Sequence, residues 1–190
     1  MQLPNIPERS RRRPDSRRAV GLLAAILLLG LAAGCAATDT QSFIAPAAHN
    51  PRYDGFLAYG AFRDLGVEGR FEKALCERLA KAGHACVPML AVATPTRPQD
   101  AASRQRAAHT SGAQAIVIIE LADTHTTSRQ VLTNGAPGYK VSLVDVSDQK
   151  VVAQFAIEGR TGKVPLASRA AQLADNIVVA LQVQQLLYRR

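Results

Sequence analysis

The spacing of apolar and polar positions divides the chain into three stretches. From Ala19 to Gly34, sixteen residues run without a charge. From Ala36 to Arg52, "AATDTQSFIAPAAHNPR" is rich in Ala, Thr and Pro and shows little periodicity. From Tyr53 onward, apolar residues recur at strand and helix spacing. There, "GFLAYGAF" (Gly55–Phe62) predicts a first strand. "GRFEKALCERLAKAG" (Gly69–Gly83) predicts a helix with Phe71, Leu75, Leu79 and Ala82 on one face and Gly83 just past its end. "HACVPML" (His84–Leu90) predicts a second strand, and Pro88 places it at a sheet edge or marks its end. Residues Asp100–Gly112 predict a second helix, capped by Asp100 and closed by Gly112.

"AQAIVIIEL" (Ala113–Leu121) is the strongest strand signal, continuous and β-branched, as expected of a central strand covered on both sides. "NGAPG" (Asn134–Gly138) reads as a turn. "YKVSLVDV" and "VVAQFAIEG" flank "SDQK" (Ser147–Lys150), a hairpin signal. Its alternation sends Val141, Leu143, Ala153, Phe155 and Ile157 one way and Lys140, Ser142, Gln154 and Glu158 the other. Pro165–Arg190 predicts a long closing helix with a stripe of Leu166, Ala170, Leu173, Ile177 and Leu181. The order βαβαβββα predicts an α+β fold: a single mixed sheet of about five strands, with three helices packed mainly on one face.

The uncharged run is a different kind of element. It follows "ERSRRRPDSRR" (Glu8–Arg18), with six arginines, and ends in "LAAGC" (Leu31–Cys35). A basic patch, an apolar segment and small residues have the layout of an export signal. The ending resembles the lipobox of bacterial lipoproteins, although Ala32 stands where leucine is usual. That resemblance implies cleavage before Cys35 and a diacylglycerol on its thiol. The expected division is a signal peptide over 1–34, a lipidated Cys35 with a flexible tether over 35–52, and a periplasmic domain over 53–190. Ala36, in place of Asp, favours the outer membrane over the inner one. Extended through Ala37 the run reaches nineteen residues, just long enough for an uncleaved anchor. Cys35 separates the two readings, because an anchor needs no thiol there.

Loss of the signal changes the charge. The formal net charge of +8 falls to +4, since six arginines leave with only Glu8 and Asp15. The remainder has no basic stripe interleaved with aromatics, so nucleic-acid binding is not expected. Chemistry is sparse too. Asp123 and His125 share one side of a strand-like stretch, but two ligands are too few for a metal. Glu120 reads as a strand end reaching solvent, His49 and His109 have no ligand-spaced partner, and no nucleophile or phosphate-loop motif is present. No metal, cofactor or catalytic residue is expected. Cys76 and Cys86 reach the same level on adjacent layers, so a disulfide is expected in an oxidising compartment; the plain alternative is two small buried hydrophobes.

"AAHTSGAQAIVIIEL" and "LVDVSDQKVVAQFAIEGRTG" resemble a group of small periplasmic α+β domains. These occur in the amino-terminal part of the Tol–Pal propeller protein, in the curli-export lipoprotein and in lipoprotein activators of cell-wall synthases. The outgoing strand of that pattern often carries a Trp, which this chain lacks. The resemblance implies an interaction module: an adaptor, activator or assembly factor for an unidentified envelope partner, of open oligomeric state. The alternatives are an anchored hydrolase or a carrier of a small ligand or lipid. If Phe56 and Phe62 face the core, Leu57 and Tyr59 fall on the uncovered sheet face. They would then form a contact patch bordered by Lys140, Gln154 and Glu158. Alternatively, Phe43 and Ile44 fold back over that patch.

Overall fold

The computed structural model describes residues 40–44, 51–93, 99–122, 138–158 and 164–188. They form one six-stranded mixed sheet and four helices, the α+β class expected. The strands are β1 (Thr40–Ile44), β2 (Gly55–Gly60), β3 (Ala85–Pro88), β4 (Ala115–Leu121), β5 (Gly138–Asp145) and β6 (Val151–Glu158). The helices are α1 (Leu65–Lys81), the single turn α2 (Met89–Val92), α3 (Ala101–Ser111) and α4 (Leu166–Val183). Strand order is β1-β6-β5-β4-β2-β3. β2 pairs parallel with β3 and β4, whereas β4, β5, β6 and β1 pair antiparallel in succession.

The parallel part explains where the helices lie. From β2 the chain steps to β3 through α1 and returns past β2 to β4 through α2 and α3. Two steps in opposite directions keep one handedness only if their helices cross on opposite faces. On the first face α1 and α4 cover Phe56, Ala58, Val117, Ile119, Val141, Leu143, Phe155 and Ile157 in the larger core. On the second, α2 and α3 cover a smaller core of Leu57, Tyr59, Met89, Ala107, Ala108, Ile116 and Ile118. The expected one-sided packing therefore holds for the two long helices and fails for α2 and α3.

Local chemistry fixes the boundaries. α1 starts four residues before the expected Gly69, because Asp64 caps it through a 3.0 Å bond from Val67 N–H. Gly69 within it lets α2 approach: a Cβ there would lie 3.3 Å from Leu90 Cδ1. Asp100 caps α3, and Gly112 ends it in the left-handed region at φ +70°. α4 ends at Val183 rather than at Arg190. After it Leu187 makes a parallel bridge to Tyr53.

β1 falls inside the stretch expected to be a tether. It runs antiparallel to β6, Thr40 opposite Ile157 and Ile44 opposite Ala153, and Gln184 Nε2 donates to Ser42 Oγ at 3.0 Å. Ile44 packs at the margin of the larger core, while Phe43 is 60% exposed. Cys35, His49, Asp123, His125 and the Asn134–Pro137 part of the expected turn lie outside the described residues.

Candidate functional site

Among the described residues, no helix covers the second face of the antiparallel half of the sheet. β5 and β6 present Lys140, Ser142, Gln154, Ala156 and Glu158 there, in the parity their alternation predicts. A register shift after Leu143 adds the exposed Val151 to the same side while Val152 turns into the core. β1 extends this side with Phe43, which lies opposite Gln154. Where it meets α3, the face forms a groove of about 300 Å³ lined by Arg104, Gln105, Ile118, Lys140, Ser142 and Gln154. Glu120, one residue before the end of β4, also lines it, half-exposed and 3.8 Å from Lys140 Nζ.

Leu57 and Tyr59 do not belong to this surface. Leu57 is fully buried and Tyr59 is 3% exposed, both beneath α2 and α3. Their parity was read correctly, but the return crossover covers that half of the face. Tyr59 OH accepts a bond from Gln99 N–H at 3.1 Å, and the Arg104 guanidinium lies 5.4 Å from its ring centroid. Lys140 and Gln154 line the groove, whereas Glu158 stands exposed at the end of β6, opposite Gly138 and outside the groove lining. Cys76 and Cys86 are joined in a disulfide with a Cα separation of 4.9 Å, tying α1 to β3.

Two arrangements escaped the sequence reading. The first is a pair of buried carboxyls on α1, Glu68 and Glu72. Glu72 accepts from Gly60 N–H (3.1 Å) and from Leu90 N–H (3.0 Å), binding the end of β2 to the start of α2, and it shares a hydrogen bond with Glu68. Burial pushes Glu72 up to about 7; the two backbone bonds oppose this and the Glu68 carboxyl adds to it. Burial also raises Glu68. A signal existed: Glu68 and Glu72 stand at helical spacing with Leu75 and Leu79, on the stripe that enters the core.

The second is a cleft of about 510 Å³ at the opposite end of the strands, between the C-terminal ends of α1 and α4. It is lined by Arg52, His84, Gln182, Gln185 and Tyr188 among others. His84 is buried edge-on against Phe56, with Nδ1 3.1 Å from Asp54 Oδ1. No nucleophile accompanies this pair in the cleft lining. Among the described residues, no group of three or more His, Cys, Asp or Glu is placed to hold a metal ion, and no helix is long and apolar enough to cross a membrane.

These features define a small α+β domain with a half-open sheet. No protein-family model matches the chain, and no curated protein does. Its fold is similar to that of a methionine variant of PelC from Paraburkholderia phytofirmans, solved as a dodecamer. The TM-score is 0.51 at 19% identity, over 80% of this chain and 100% of that one. A second PelC dodecamer from the same organism gives 0.49 at 16% identity, with the same coverage. Lipoprotein GNA1162 from Neisseria meningitidis gives 0.40 at 14%, over 67% of this chain and 97% of that one. At these identities the likeness is one of fold.

Proposed function

We propose that the chain is an outer-membrane lipoprotein, anchored through Cys35 and facing the periplasm, that works without catalysis as an adaptor, activator or assembly factor in the cell envelope. The observation that carries this reading is the open half of the second sheet face. Phe43, Val151 and the groove beside α3 offer apolar area next to Lys140 and Gln154, with Glu158 exposed at the end of β6, a composition suited to a protein contact. The PelC structures of similar fold are dodecamers, which supports including further copies of this chain among its partners.

A photo-crosslinking residue at Gln154 in intact cells tests the surface. Adducts of defined mass are expected from Gln154 and not from Val183, which is 70% exposed on the outer side of α4. The reverse pattern moves the partner surface to α4 and overturns the assignment. The cleft between α1 and α4 favours a second reading, carriage of a small polar ligand. Native mass spectrometry of protein purified from the envelope separates the two: a retained small molecule lost on Arg52→Ala supports carriage.

A further inference from the structure

The position of β1 sets how the domain stands on its membrane. Read as a free tether, residues 36–52 would let the domain sit well off the bilayer and turn at will. In the structure the chain is already part of the sheet at Thr40. Five residue steps separate Cys35 from Thr40, a reach of at most about 18 Å when fully extended. A domain of roughly 150 residues has a radius of gyration of about 15 Å. The leash is therefore no longer than the body it holds.

Thr40 lies at one defined end of the strands. Ile157 is its neighbour across β6; the starts of β5, α1 and α4 and the ends of β2 and β4 lie at the same level. Leu65 at the start of α1 is 49% exposed on this rim beside exposed Arg63, an apolar and a cationic side chain suited to a headgroup boundary. The opposite rim lies about 20 Å away along β4. It carries the turn at Ser147–Lys150 and the cleft with Arg52, His84 and Tyr188.

We propose that the rim of Thr40, Leu65, Gly138 and Glu158 is held against the phospholipid surface, so that the cleft and the Ser147–Lys150 turn project away from the bilayer. This rests on the reading of Cys35 as the lipid-bearing residue. It adds an orientation: a partner meets the open face side-on and finds the cleft outermost.

The test uses the full lipidated protein in phosphatidylethanolamine–phosphatidylglycerol vesicles containing a headgroup-nitroxide lipid. A fluorophore is placed by Glu158→Cys, Asp148→Cys or Phe43→Cys; the native Cys76 and Cys86 are bonded and do not react. Quenching is expected to be several-fold stronger at position 158 than at 148. Inserting about twenty Gly/Ser residues between Ala37 and Thr38 should bring the two close to equal. Equal quenching without the insertion overturns the orientation. So does a difference that survives the insertion, since the short span would then not set it. Strongest quenching at Phe43→Cys would mean the domain lies on its β1 edge, and overturns the rim. Mass spectrometry of the same preparation separates the two failures. Lipid on Cys35 with equal quenching removes the orientation alone, whereas an unlipidated chain removes the anchor and the orientation together.

Discussion

The two halves of the second sheet face start from the same backbone geometry and end in opposite environments. Under α2 and α3, Leu57, Tyr59, Ile116 and Ile118 are dry. On the neighbouring β5 and β6, Lys140, Ala156 and Glu158 are exposed and Gln154 partly so. The difference follows from how the strands are connected. β2, β3 and β4 are parallel, so each link must cross the sheet, and two crossings of one hand cover both faces. β5 and β6 are joined by a tight turn, which brings no covering element with it. Among the described residues, a face is thus left uncovered beside the β5–β6 hairpin, and a second core forms where the connections are crossovers.

The largest effect expected from this contrast is on stability. Leu57→Glu puts a carboxylate into the dry half with no partner and should cost more than about 3 kcal/mol, enough to leave little folded protein. Ala156→Glu places the same group on the open half, opposite Lys140, and should change stability by no more than about 0.5 kcal/mol. Urea unfolding midpoints compare them directly. Similar losses for both would mean that something covers the hairpin half, and the contrast would fail.

The open half was legible in the sequence because alternation over Tyr139–Val144 and Ala153–Glu158 leaves one assignment of faces, the register shift at Val151–Val152 being the exception. The central strand was legible for the same local reason, length and continuous β-branching. What escaped depends on distant partners. "TQSFI" is five residues long and becomes an edge strand only because β6, far along the chain, offers it a free edge. Gly66 and Gly69 weaken the helical signal behind Asp64, so the sequence alone does not mark it as a cap. The cover over Tyr59 depends on the side from which α3 crosses, which no local period encodes. Glu68 and Glu72 were hidden by their type: carboxylates on a core-facing stripe read as surface until the unpaired amides of Gly60 and Leu90 are seen beside them.

The disulfide offers a smaller and more local way to sharpen the comparison. It closes a short loop from α1 to the edge strand β3, in the parallel half. In the chain-entropy account its loss should cost about 3 kcal/mol. Replacing Cys76 and Cys86 together by Ala should lower the urea midpoint accordingly. Hydrogen exchange should then rise first in β3 and α2, while β5 and β6 keep protection close to that of the parent, because few bonds link them to the stapled region. Equal loss of protection in both halves would show that the sheet opens as one unit and that the halves differ in cover but not in stability.

The smallest effect concerns the Glu68–Glu72 pair, which holds the crossover half together at the end of β2. In the folded protein burial raises Glu72 from an ordinary 4.5 to about 7, and Glu68 moves the same way. Between those limits the folded state keeps a proton that the unfolded chain releases. Stability is therefore fully present below about pH 4.5 and falls as pH rises towards 7, by roughly 1–3 kcal/mol. Asp100, Asp145 and Asp148 are held below their ordinary range, so their contributions are lost only as pH falls below about 4, outside this window. Glu68→Gln isolates the pair. Its amide can donate to Glu72 without a shared proton, giving the ionised Glu72 a third donor beside the Gly60 and Leu90 amides. The variant should lose less stability than the parent between pH 5 and about 7.5, with part of the loss kept because Glu72 stays buried. The Glu72→Ala variant, by contrast, should be destabilised at every pH, because two buried amides then lack an acceptor. A Glu68→Gln profile as steep as the parent's would mean that burial alone raises Glu72 and that Glu68 adds nothing to the proton it keeps.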